Sequence, residues 1–138
     1  MWGYIRMLIK VRWKKKLMDA NVITDENEIN TRAYMIVIAN ASKYGTGAVI
    51  NPDGKIDDGK FEIIIMRTFT LLQLVKMFWS YRNFNPKKVE IIQTTKATII
   101  TKKNTHFQSD GEFKGKIDKI SAVIISSQLN LLIKKSEE

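Results

Sequence analysis

Hydrophobic and polar positions change rhythm twice along the chain. Between Trp2 and Met18, the apolar residues Ile5, Leu8, Ile9, Trp13 and Leu17 fall near helical spacing. Arg6, Lys10, Arg12 and Lys14-Lys15-Lys16 lie between them, which predicts a basic amphipathic helix over 1–18. From Asp19 the texture becomes β-forming. Ala20–Ile23 and Thr31–Ala39 are rich in β-branched and aromatic residues around a turn-like Thr24–Asn27, so an antiparallel hairpin is expected. Met35–Ala39 is apolar throughout and reads as a strand buried on both faces, with Phe61–Met66 as another core strand. Thr70 and Gln73 fit a capping box and Phe69 with Leu74 a hydrophobic staple. A helix is therefore expected from about Leu71 to Ser80 or Tyr81, packed as a crossover between sheets. Val89–Gln93, Ala97–Thr101, Thr105–Gln108, Lys119–Ile125 and Leu129–Ile133 then recur with short polar links. The fold class is mainly β: an antiparallel β-sandwich over 19–134, with the N-terminal basic helix and one crossover helix.

Composition narrows the function classes. A chain of 138 residues, 44% hydrophobic, has room for one domain with a real core. No apolar run approaches the length of a bilayer span, and the first ten residues lack a signal-cleavage site, so a cytoplasmic protein is expected. The first reading of the amphipathic helix is a solvated basic face whose apolar stripe packs on the same or a neighbouring domain; with Trp2, Tyr4 and Trp13 it can instead lie on an anionic membrane as a peripheral anchor. Cysteine is absent and His106 is the single histidine, which excludes thiol chemistry and multi-histidine metal centres. A net charge of +9 points to an anionic partner, without choosing among nucleic acid, a phospholipid surface and a phosphorylated small molecule.

Two turns carry acids. Asn51–Lys60 holds Pro52, Asp53-Gly54 and Asp57-Asp58-Gly59, in which the glycines offer the positive-φ positions of tight turns. Its carboxylates and carbonyls can also gather a hard cation, although the EF-hand spacing is not met; a plain surface turn is the first reading. Ser109-Asp110-Gly111-Glu112 is the second, a hairpin turn whose carboxylate can serve as a general base.

Taken in order, Ala39-Asn40, Tyr44-Gly45-Thr46-Gly47, Pro52 followed by Asp57-Asp58-Gly59, and Asp110-Gly111-Glu112 ahead of two closing strands make up a set. This set resembles the C-terminal domain of the diacylglycerol kinase-like lipid kinases, relatives of sphingosine and ceramide kinases, from about Ala33 to Ile133. The resemblance implies a β-sandwich that closes against an N-terminal ATP-binding domain bearing a Gly-Gly-Asp-Gly motif. It further implies that Glu112 takes the proton from a lipid hydroxyl, while Asp110 and Gly111 shape its turn. Asn40, Gly45 and Gly47 are expected to line the cleft. Asp58, with the backbone carbonyls of Lys55 and Lys60, is expected to ligate Mg²⁺, so the likeness moves this loop from plain turn to metal site. The chain departs from the family pattern at Thr46, where three consecutive glycines are common, and at Gly54, where alanine is common.

The nucleotide-binding half is missing from this stretch and the chain starts inside a structural element, so a fragment is expected that does not phosphorylate anything alone. The expected partners are that missing domain and a lipid substrate at an anionic membrane surface. Self-association through apolar surface left uncovered is a further expectation. The rival reading is a non-enzymatic basic sandwich that binds nucleic acid or an anionic membrane. On the kinase reading both acid-bearing turns should stand beside one concave face.

Overall fold

The computed structural model describes residues 17–44, 48–49, 51, 54–68, 85 and 87–125. Of the basic helix expected over 1–18, residues 1–16 lie outside these residues, as do the crossover helix at 71–81 and the last strand at 129–133, while Met18 is not the helix end but the first residue of a strand. Among the described residues nine strands are present: β1 (Met18–Thr24), β2 (Glu28–Ala33), β3 (Met35–Ala39), β4 (Lys43–Tyr44), β5 (Ala48–Val49), β6 (Phe61–Met66), β7 (Val89–Thr94), β8 (Lys96–Ser109) and β9 (Glu112–Val123). They form a four-stranded sheet in the order β2-β1-β8-β9, a three-stranded sheet in the order β3-β6-β7 and a small β4-β5 ladder, all antiparallel.

The two larger sheets pack as a sandwich, as the strand count anticipates. Val22, Ala33, Ala97 and Ile99 from the first sheet meet Phe61, Ile63 and Ile65 of β6 in one buried cluster. Because side chains alternate along a strand, Glu62, Ile64 and Met66 point to the opposite, outer face. That face is buried too, with Ile64, Met66 and Val89 in a second cluster beside Met35, Val37 and Ala39. β6 is therefore the strand buried on both faces, and β3 is not. β3 is half-buried: among the described residues it stands at the edge of its sheet, paired with β6 alone. An apolar run alone does not separate a centre strand from an edge strand.

Two further boundaries differ from the pattern. The run Thr31–Ala39 is cut at Tyr34, where the chain leaves the first sheet and the Tyr34 N–H donates to the Met66 carbonyl at 2.9 Å as the first rung of the second. The expected pair Ala97–Thr101 and Thr105–Gln108 is one strand, β8, and its partner β9 starts seven residues before Lys119, at Glu112. The register shifts between Ile100 and Thr105 and again between Phe107 and Gln108, and Gly115 takes the φ of 109° found beside the second shift. Beyond the core one face of this ribbon is exposed and the other only half-buried, at Thr105, Phe107 and Ile117, so the apolar alternation that marks a strand is weak.

The corner between β7 and β8 is locked from the β1–β2 turn. Asp25 Oδ2 accepts from the Thr95 hydroxyl, the Thr94 hydroxyl (3.2 Å) and the N–H groups of Thr95 and Lys96 (each 3.1 Å). These donors, the Thr95 hydroxyl foremost, hold the Asp25 carboxyl below its usual 3.8. A depressed native pKa means stabilisation that is present above the unfolded value and lost as pH falls through the native one. Asp25→Asn is thus expected to lower Tm at pH 7, with the gap to the parent closing as pH drops below about 3.8 in a melting series.

Candidate functional site

The hairpin that joins β8 to β9 is closed by Asp110 at φ 50° and Gly111 at φ 84°. Positive φ at both central residues is a type I′ turn, which the twist of paired strands favours and which Asp-Gly readily adopts. The turn projects Glu112 into solvent, with its side chain 73% exposed and Oε2 accepting from Lys114 Nζ at 2.6 Å. Phe113 follows, also exposed, its ring 5.4 Å from that of His106.

This turn borders a groove of about 820 Å³ between the edge of β3 and the β8–β9 face. Ile36, Ile38, Phe107, Phe113 and Ile117 supply apolar walls. Asn40, Ser109 and Asp110 also line it. The groove thus brings together two of the sequence candidates, Asn40 and Asp110, with Glu112 on the same turn. Gly45 and Gly47 lie outside the described residues.

Asp58 is not among the groove-lining residues. Its Oδ1 accepts the Lys60 N–H at 3.0 Å, closing the turn that Gly59 (φ 69°) completes, and its Oδ2 accepts from Gln93 Nε2 at 2.9 Å. Gln93 Nε2 also reaches Glu62 Oε1 at 3.3 Å. Since Glu62 points to the outer face of the second sheet, this loop belongs to that face, whereas the Asp110 turn belongs to the groove between the sheets. The two acid-bearing turns are therefore not both walls of this groove, as the sequence reading expected. One buried residue contributes next: Asn51 Nδ2 donates to Glu62 Oε2 at 2.6 Å, and Asn51 Oδ1 is buried without a hydrogen-bond partner.

Among the described residues no group of three or more His, Cys, Asp or Glu side chains is placed to hold a metal. A cation in this loop would depend on Asp58 plus amide and backbone oxygens, including the carbonyls of Lys55 and Lys60. Hard oxygen donors of this kind, with an orphaned amide oxygen beside them, fit Mg²⁺ or Ca²⁺. Glu62, Asn51 and Gln93 went unnoticed in the sequence, although a lone acid inside Phe61–Met66 was the available sign.

Gly54 is required here for space and not for backbone conformation, since only Gly59, Gly111 and Gly115 have positive φ among the described glycines. A Cβ on Gly54 would sit 2.1 Å from Asn51 Nδ2 and 2.8 Å from its Cγ. Gly54→Ala is accordingly expected to cost about 1–3 kcal/mol by displacing Asn51, read as a lower urea midpoint at unchanged slope.

Residues 5–133 match the family described as the YegS C-terminal NAD kinase beta sandwich-like domain. Among solved structures, one from Bacillus anthracis str. Sterne, provisionally named a diacylglycerol kinase, aligns with a TM-score of 0.71 at 15% identity. The alignment covers 88% of this chain and 42% of that one. Another from the same organism, named a diacylglycerol kinase, aligns with a TM-score of 0.62 at 11% identity over 90% of this chain and 48% of its own. The chain thus spans less than half the length of these structures, and the likeness is one of fold. No curated protein matches it significantly. With nearly its whole length inside the matched region, the chain belongs to the family of YegS C-terminal NAD kinase beta sandwich-like domains.

Proposed function

We propose that this chain is the C-terminal half of an ATP-dependent lipid kinase that phosphorylates diacylglycerol or a related lipid, and that it is inactive by itself. The observation that supports this reading is the type I′ turn whose Asp110 lines an apolar groove, with Glu112 exposed two residues on and not itself a lining residue. A lipid alcohol has matching halves: a hydroxyl to deprotonate and an acyl body to shelter.

In the reaction, Glu112 accepts the proton of the lipid hydroxyl as that oxygen bonds to the γ-phosphorus of ATP. The bond from γ-phosphorus to the bridging oxygen breaks, and ADP leaves with the electron pair. Lys114 holds the Glu112 side chain on the solvent side of the hairpin, and Asp110 with Gly111 fixes the turn. Asn40 contributes to the cleft. Mg²⁺, when bound at the Asp58 loop, supplies positive charge that fastens the loop. ATP is held mainly by the nucleotide-binding half.

The substrate would be met at an anionic membrane surface. Exposed Lys102, Lys103, Lys114, Lys116 and Lys119 on the β8–β9 ribbon favour that partner. The test is transfer of labelled phosphate from ATP to diacylglycerol in mixed micelles, by the chain alone and with the nucleotide-binding half from the same source. Label is expected in the lipid only when both halves are present; its absence from the combination rejects the reading.

A further inference from the structure

We propose that Glu62 and Asn51, together with Asp58, form a binding site for one divalent hard cation, Mg²⁺ or Ca²⁺, on the outer face of the three-stranded sheet. The family likeness points only to Asp58 and the carbonyls of Lys55 and Lys60. The two residues added here are the ones that supply charge and an unused ligand, and the inference holds whether or not the chain takes part in phosphate transfer.

The argument starts from Glu62, a carboxylate only 3% exposed near the start of a buried strand. A buried carboxylate is strongly disfavoured unless positive charge lies beside it. Glu62 has no such partner. Its hydrogen bonds come from two neutral carboxamides, Asn51 Nδ2 at 2.6 Å and Gln93 Nε2 at 3.3 Å. Both amino groups turn their partial positive charge towards a carboxylate that lacks a full one.

Asn51 supplies the second, independent observation. It is fully buried (0% exposed), and its Oδ1 has no donor. This oxygen belongs to the same planar amide whose nitrogen touches Glu62, so an acceptor without a donor stands next to a carboxylate without a cation. A hard cation answers both deficits at once, because it binds carboxylate and carboxamide oxygens alike.

Asp58 closes the set. Gln93 Nε2 bonds to Asp58 Oδ2 and Glu62 Oε1 together, so the two carboxylates lie within reach of one small group. Turning the Gln93 amide over exchanges its nitrogen for Oε1, which adds a ligand where an amino group now bridges the carboxylates. Asp58 is exposed, and the route of entry is from its side. Gly54 lets the Asn51 side chain lie flat across the loop, since any Cβ there would meet that amide.

The experiment is a titration of the full chain with MgCl₂ or CaCl₂, followed by melting temperature and by calorimetry, up to about 10 mM, above the range of weak calcium sites. The parent is expected to show a saturable rise in Tm with matching heat. Glu62→Gln keeps the size and hydrogen bonding of the side chain but removes its charge. This variant is expected to fold, to be at least as stable as the parent without cation, and to lose affinity by about tenfold or more. Asn51→Asp places a second carboxylate beside Glu62, so it is expected to be less stable without cation and to gain a larger Tm rise with it. Three results overturn the proposal: no Tm rise or heat in the parent with either salt; an unchanged response in Glu62→Gln; or an Asn51→Asp variant whose stability ignores the cation. A response lost in Asp58→Asn but kept in Glu62→Gln would leave the Asp58 loop as a site of its own and reject the part assigned to Glu62.

Discussion

Glu112→Gln is expected to cut phosphate transfer to lipid by about 10²–10⁴-fold, the usual contribution of a positioned general base. The substitution preserves the shape of the side chain and leaves the Asp110-Gly111 turn untouched, so the change is confined to proton acceptance. Stability should hardly move. Glu112 is exposed, and its one ion pair, with Lys114, is of the surface kind worth at most about 1 kcal/mol. The loss should therefore fall on kcat and leave KM close to the parent value, because an interaction made only as the proton moves does not hold the ground-state lipid. Lys114→Ala is the control: it removes the partner of Glu112 without removing the base, and should cost far less. The assay is initial rate against lipid concentration for both variants with the nucleotide-binding half present. Undiminished turnover in Glu112→Gln would exclude Glu112 from the chemistry.

How much of this was legible in the sequence depends on whether local pattern or three-dimensional placement carried the information. The Asp110-Gly111 turn was legible because its conformation is a local property of Asp-Gly between strand-forming residues. The core role of Phe61–Met66 was legible from an apolar run too continuous for a half-exposed strand. The same rule failed at Met35–Ala39, since an edge strand covered on both sides along part of its length has the same letters. It failed differently along residues 102–116, where the β8–β9 ribbon runs past the core with one face only half-buried, too little to write a continuous apolar alternation. The role of Gly54 was misread as conformational because sequence cannot show a close approach between residues of one loop and the side chain above it. The outer-face cluster shares that difficulty. Gln93 in a β7 segment of mixed polarity looks like a solvent-facing position, and only the register that sets it opposite Glu62 gives it a role.

The largest structural effect is expected at Ile63, where alanine should destabilise the domain by about 2–5 kcal/mol through lost burial and the cavity left behind. Ile63 is completely buried, lies between Ile38 and Ile92 across the sheet, and belongs to the cluster with Val22, Ala33, Ala97 and Ile99 from the facing sheet. Against a typical total of about 5–15 kcal/mol, that loss brings the folded state near its threshold. Ile63→Val removes one methylene and should cost only about 0.5–1.5 kcal/mol, so the pair calibrates how far the site can close. Urea denaturation of both variants measures this, with a graded fall in midpoint at constant slope as the expected pattern. The comparison also separates scaffold from chemistry. β3 and β8 form walls of the groove and meet across the cluster in which Ile63 sits, so loosening it should lower the folded fraction while the folded molecules keep the Asp110–Glu112 turn intact. Phosphate transfer per folded molecule in Ile63→Val should then match the parent, whereas Glu112→Gln loses transfer with its melting point unmoved. A core change that lowered kcat per folded molecule as steeply as Glu112→Gln would mean that the turn depends on the interior packing and not on its own Asp-Gly geometry.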